Sequence, residues 1–157
     1  MRCRMGRDKG VPIDVSNRQK VVPIHSRRIR RIAEKTLVHF RLGRYVRLNI
    51  LFIDDIQMAT LHERFLGKRR ATDVLAFGMQ EGRALKGDSL LLGDIAISTE
   101  TAVRHAKRFR SKVDRELGLY VIHGILHLLG YDDHQKQART KMRRKERELL
   151  KLCKNEA

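Results

Sequence analysis

The chain has 157 residues and carries 35 Lys/Arg against 18 Asp/Glu, a formal net charge of +17, on a length that fits one domain. So large a positive field selects for a polyanionic partner and disfavours cationic substrates. The longest run without a charge, Leu117–Tyr131, is 15 residues with two histidines, too short and too polar for a bilayer span.

The charge is uneven: residues 1–47 hold 14 Lys/Arg against 3 Asp/Glu, and residues 48–103 hold 6 against 8. Basic residues return from Arg104 onward, so basic surfaces flank a near-neutral centre. The two cysteines, Cys3 and Cys153, form no disulfide framework and fit a reducing compartment. No apolar signal-peptide core follows the basic N-terminus. The expectation is a soluble, cytoplasmic protein with no membrane partner.

In chain order, residues 1–10 read as disordered, and Ile13–Val15 as a short strand. Ser26 is placed to cap a helix from Arg27, in which Ile29, Ile32, Ala33, Leu37 and Phe40 recur at helical spacing, with Gly43 as its stop. Val46 to Ile53 reads as a strand. Asp54–Asp55 ends it and opens a helix from Ile56 to about Phe65, with Met58, Leu61 and Phe65 inward. A basic loop, Gly67-Lys68-Arg69-Arg70, leads to a strand at Val74–Phe77, and Gly82 and Gly87 mark a long loop over 78–88. Leu90–Ile97, nearly all apolar, reads as a central strand. Ser98 and Thr99 cap a helix to Phe109 that turns Ala102, Ala106 and Phe109 to one side and Arg104, Lys107 and Arg108 to another. Asp114 is placed to cap the next helix, which runs to Leu129, is apolar nearly all round and therefore buried, and stops at Gly130. A basic helix from about Lys136 to Leu150 closes the chain. Strands and helices mix without strict βαβ alternation, which predicts an α+β fold: one domain over 1–157, with a mixed sheet of about four strands packed with helices.

The chemistry concentrates in His123-Gly-Ile-Leu-His127-Leu-Leu-Gly130-Tyr131-Asp132-Asp133-His134. Histidines four apart on a helix share one face and can grip a single ion. A buried apolar helix gains nothing from two imidazoles that each need a partner, which favours a metal over two core histidines. The break at Gly130 can swing a third ligand back. Imidazole with carboxylate suits zinc, one ion per chain, and three protein ligands leave a position for the water of a catalytic site. Gly124 stands where an H-E-x-x-H protease has its glutamate, so peptide cleavage lacks a general base.

From His123 through Asp132 the chain resembles the H-G-x-L-H-L-x-G-Y-D-H motif of the bacterial YbeY endoribonucleases. Thr72-Asp73-Val74-Leu75-Ala76-Phe77 is similar to the family's T-D-V-L-S-F, and Leu92-Gly93-Asp94-Ile95-Ala96-Ile97 to its L-G-D-I-x-I strand. The resemblance implies a zinc-dependent hydrolase cutting single-stranded RNA, with roles in ribosomal RNA precursor maturation (the 16S 3′ end), ribosome quality control and contact with the small subunit. The metal-bound water would attack a phosphodiester or act as base toward a ribose hydroxyl; both modes remain open.

Two positions depart from the family pattern. Its third histidine falls where this chain has Asp133, with His134 one residue later; Asp133 needs no gap and is the favoured third ligand, His134 the alternative. The family's arginine in a Y-R-x-K stretch corresponds to Leu66 in Phe65-Leu66-Gly67-Lys68. Arg69 and Arg64 are the candidates to stabilise the transition state in its place, with Arg70 also near. Lys68, Arg69, Arg70, Lys107 and Arg108 are candidate RNA contacts, as are Arg110, Lys141, Arg143, Arg144 and Lys145. Asp73 and Asp94 divide between orienting ligands and capping turns, and His25, His39, His62 and His105 read as ordinary surface or half-buried residues. The competing function is a ribosome- or RNA-binding protein with a structural zinc and little turnover.

Overall fold

The computed structural model describes residues 12–42, 46–78 and 90–156. The expected disorder of residues 1–10, the Gly43 stop, Cys3 and the loop glycines Gly82 and Gly87 lie outside them. The elements run β1 (Ile13–Asn17), α1 (Ser26–His39), β2 (Val46–Ile53), α2 (Asp55–Leu66), β3 (Val74–Gly78), β4 (Leu90–Ser98), α3 (Thr99–Phe109), α4 (Val113–Leu128) and α5 (Lys136–Leu152), with a 3₁₀ turn at Lys154–Glu156. The sheet order is β1-β2-β4-β3; β1, β2 and β4 are parallel and β3 is antiparallel to β4. This is the mixed four-stranded α+β architecture that the element order predicts.

Period-two alternation divides the strands between two faces. Leu48, Ile50, Phe52, Ile95 and Ile97 join one core with Ile29, Ile32 and Leu37 of α1, Leu117, Val121, Ile122 and Ile125 of α4, and Met142 and Leu149 of α5. Ile53, Leu75 and Ala96 turn the other way and meet Met58 of α2. Helix α4 is buried along most of its length, as its apolar composition predicts. It comes so close to β4 that a Cβ on Gly124 would sit 2.7 Å from Ile95 Cγ2.

Three local expectations need correction. Ser26 is the first residue of α1 rather than its cap, and no side chain caps that end. Asp114 lies inside the first turn of α4, where its charge still meets the positive helix end, while Lys112 occupies the cap position. Phe65 is exposed and lies against Phe77, with ring centroids 4.9 Å apart. His62, on the same side of α2, is the buried residue there, and it donates through Nδ1 to the Lys68 carbonyl.

The start of α2 is built as expected around Asp54–Asp55. Asp54 accepts from the Gln57 amide at 2.8 Å while the Gln57 side chain accepts from the Asp54 amide at 3.1 Å, a reciprocal capping box. Asp55 ties α2 to α3, accepting from Ser98 Oγ at 2.6 Å, Thr101 Oγ1 at 3.2 Å and Arg104 Nη1 at 2.6 Å. Partial burial opposes its charge, but the hydrogen bonds from Arg104 and Ser98, with the Arg104 charge, outweigh that and hold its pKa below the ordinary 3.8. A group with a depressed folded-state pKa stabilises fully above its unfolded value and loses that contribution as pH falls through the folded one. Asp55→Asn is therefore expected to cost about 1–2 kcal/mol near neutral pH. In chemical denaturation from pH 8 downward, the gap to the parent chain should stay level until about pH 4 and then close.

Candidate metal centre

Residues Glu116, Tyr120, His123 and His127 follow one another at intervals of four, three and four, so they form one polar stripe on an α4 that is otherwise apolar beyond Arg115. Beyond Leu128 the chain turns back at Gly130, whose φ of 94° suits glycine. The Gly130 amide donates to the His127 carbonyl and the Tyr131 amide to the Leu126 carbonyl, each at 3.0 Å, the paired bonds of a Schellman stop. This reversal carries Asp133 back beside the two histidines.

The Nε2 atoms of His123 and His127 are 3.0 Å apart, and Asp133 Oδ2 lies 3.7 Å and 3.6 Å from them. A tetrahedral zinc with bonds of about 2.0–2.1 Å requires donor separations of about 3.3 Å. The donors thus match such an ion in type and spacing, and all three converge within 4.8 Å of one another. His134 is placed differently: its side chain is 88% exposed and its Nε2 faces Asp132 Oδ1 at 3.6 Å.

Two residues that the sequence reading did not single out support this group. His123 Nδ1 donates to Glu146 Oε1 on α5, which fixes the ring with Nε2 toward Asp133 and His127. Arg139 Nε donates to the Asp133 carbonyl at 3.1 Å and braces the bend. Burial alone would disfavour a charged His123, but the Glu146 hydrogen bond and charge, with Asp73 and Asp133 nearby, raise its pKa above 6.5. Burial, and then the neighbouring His123 charge, lower that of His127. The pair is thus polarised, with the proton held preferentially on the ring facing Glu146.

The centre opens on a cavity of about 580 Å³ whose lining includes Asp73, His105, Tyr120, Arg115, Arg139 and Arg143. Tyr120 hydroxyl and His105 Nδ1 share a hydrogen bond, and burial, then the charges of Asp73 and Glu116, push the phenol pKa up. Asp73 accepts from the Val74 amide and Thr72 hydroxyl at the cavity edge, whereas Asp94 is bonded across the strands by Asn49 at 2.7 Å. Among the sequence-selected cations, Arg143 lines this cavity. Arg69 instead pairs with Glu63 at 3.0 Å and Arg64 lies over the Phe65 ring; neither lines the cavity, nor do Lys68, Arg70, Lys107 or Arg108. The Glu116–Tyr120–His123–His127 spacing could have brought Tyr120 into view from sequence.

Among the described residues no helix is long and apolar enough to cross a membrane. The family model described as Endoribonuclease YbeY matches residues 14–154. The chain is 37% identical over 145 residues to a Pelotomaculum thermopropionicum protein named Endoribonuclease YbeY, covering 89% of this chain and 95% of the relative. It is also 37% identical over 142 residues to one of the same name from Syntrophus aciditrophicus, covering 89% and 88%. The fold is similar to the solution structure of TM1509 from Thermotoga maritima, with a TM-score of 0.63, 26% identity and coverage of 92% and 90%. With a match that runs from within β1 to beyond α5, and with its histidine motif folded into a converging donor group, the chain belongs to the YbeY family.

Proposed function

We propose that this chain is a zinc-dependent endoribonuclease of the cytoplasm that cuts single-stranded RNA, with ribosomal RNA precursors as substrates and the small ribosomal subunit as partner. Its family supports the endoribonuclease role; the resemblance of its motifs extends this to 16S 3′-end maturation and ribosome quality control. The observation that carries the reading is the donor triangle of His123, His127 and Asp133 beside a cavity that contains arginines. These three residues would hold the ion, and bound zinc would supply a Lewis acid that activates water near neutral pH.

The remaining roles fall to the chain's own groups. Glu146 orients His123 through Nδ1. Arg139 and Arg143 bind and neutralise the scissile phosphate, taking the place first sought at Arg64 and Arg69. Arg139 also holds the bend that presents Asp133, so substrate binding and ligand placement share one side chain.

The test is cleavage of a labelled single-stranded RNA by the zinc-loaded chain, with and without chelator, beside a His123→Ala variant. Cleavage should disappear under both treatments. Cleavage that ignores both removes the metal-dependent mechanism, and RNA binding with no cleavage under any condition favours the structural-zinc alternative.

A further inference from the structure

We propose that the cleft between α1, the first half of α4 and the end of α5 is a second RNA groove, which holds the phosphate backbone of a single-stranded segment flanking the one at the metal centre. This rests on the RNA reading above and extends it to a surface apart from the donor group.

The cleft encloses about 500 Å³. Six cations line it: Arg28, Lys112, Arg115, Arg147, Lys151 and Lys154, with no carboxylate among the lining residues. Arg115 has an ion-pair partner, Glu116 at 3.6 Å; the other five have none among the described residues. Gathering unpaired like charges around one hollow is unfavourable until an anion enters it.

The floor is apolar, made by Ile32, Ile122, Leu150 and Cys153 with Gly118 between them. A glycine inside a helix is destabilising relative to alanine. At Gly118 the missing side chain is space in use: a Cβ there would lie 3.1 Å from Ile32 Cδ1 and 3.5 Å from Arg28 Nη2. The Arg28 guanidinium lies in contact with α4 beside Gly118 and donates from Nη1 to the Asp114 carbonyl at 2.7 Å. Because a carbonyl anchors it rather than an acid, its charge is fixed in place and not neutralised.

A row of cations above an apolar floor matches the two surfaces of a single-stranded nucleic acid, its phosphates and its unstacked sugar-base faces. Without an aromatic in the lining, this contact is indifferent to sequence. Arg115 lines both this cleft and the cavity beside His123, so a strand can pass from one to the other around α4.

The experiment measures binding of a labelled single-stranded oligoribonucleotide by fluorescence anisotropy, in the full chain carrying His123→Ala and treated with chelator, so that cleavage does not intervene. Into this background go Arg147→Glu with Lys151→Glu, separately Lys112→Glu with Lys154→Glu, and as a charge-matched control the exposed pair Arg18→Glu with Lys20→Glu. Each groove pair should weaken binding at least about tenfold more than the control and flatten the log–log salt dependence by about 1.4, the release expected for two phosphate contacts on a single strand. Equal losses in groove and control pairs, or no RNA binding by the parent, overturn the groove. Metal-dependent cleavage by the wild-type chain is scored separately, so the groove can fail while the nuclease reading stands, and the reverse.

Discussion

Replacing Asp133 with alanine is expected to abolish stoichiometric metal binding and RNA cleavage together, while His134→Ala leaves both intact. Asp133 presents Oδ2 within 3.7 Å of both imidazoles, and His134 turns its ring to solvent beside Asp132. Without the carboxylate, two imidazoles remain, and a pair of neutral donors neither completes a three-ligand set nor offsets the ion's charge. Asp133→His restores the donor type of the family motif at the same position and is expected to keep the metal. Competition against a chromophoric chelator reads all three variants directly. Metal loss in His134→Ala with retention in Asp133→Ala would reverse the assignment.

The second large effect is expected at Glu146. It touches no substrate in this scheme and acts through His123, so it is a positioning residue. Glu146→Gln keeps an acceptor for the Nδ1 hydrogen but removes the charge, and Glu146→Ala leaves that half-buried hydrogen without its partner. Loss of such an outer partner costs about 10–100-fold in metal affinity. The expected order of affinity is Glu, then Gln, then Ala, with the alanine variant still binding more tightly than Asp133→Ala. A residue that served only to pack α5 against α4 would instead lower the melting temperature of the metal-free chain and leave metal affinity unchanged. Equal affinity across the series would give Glu146 that lesser role.

These two residues also mark how far the sequence could be read. Asp133 is legible as a candidate because the glycine stop that returns the bend toward the two histidines is local, while its preference over His134 rests on the register of the family motif. The strands are legible for the same reason: the runs 46–53 and 90–97 are dense in branched apolar residues, and no competing helical period exists there. Glu146 is harder to see because α5 is crowded with charge, and an acid on such a helix resembles any other solvated group. The clue is that it shares a stripe with buried Met142, Leu149 and Cys153, at intervals of four, three and four.

The arginines show a different limit. Arg64 and Arg69 are near Leu66 in sequence, yet Glu63 and Phe65 occupy them locally. Arg139 and Arg143 reach the cavity from a helix more than 70 residues away from Leu66, a proximity created by the packing of α5 on α4. Periodicity also overstates burial at helix ends. Phe65 falls on the predicted inward face of α2, but it lies in the final turn and stays exposed even though its ring meets Phe77 of β3.

The contact between Gly124 and Ile95 separates two histories for a histidine-bearing helix. A peptidase would require an acid at position 124, yet even the first carbon of that side chain would strike a branched residue on a central strand. An acid introduced there alone therefore meets the Ile95 side chain, and β4 would have to give way at the same time. Any side chain at that site obliges Ile95 to move, whichever substrate the scaffold serves.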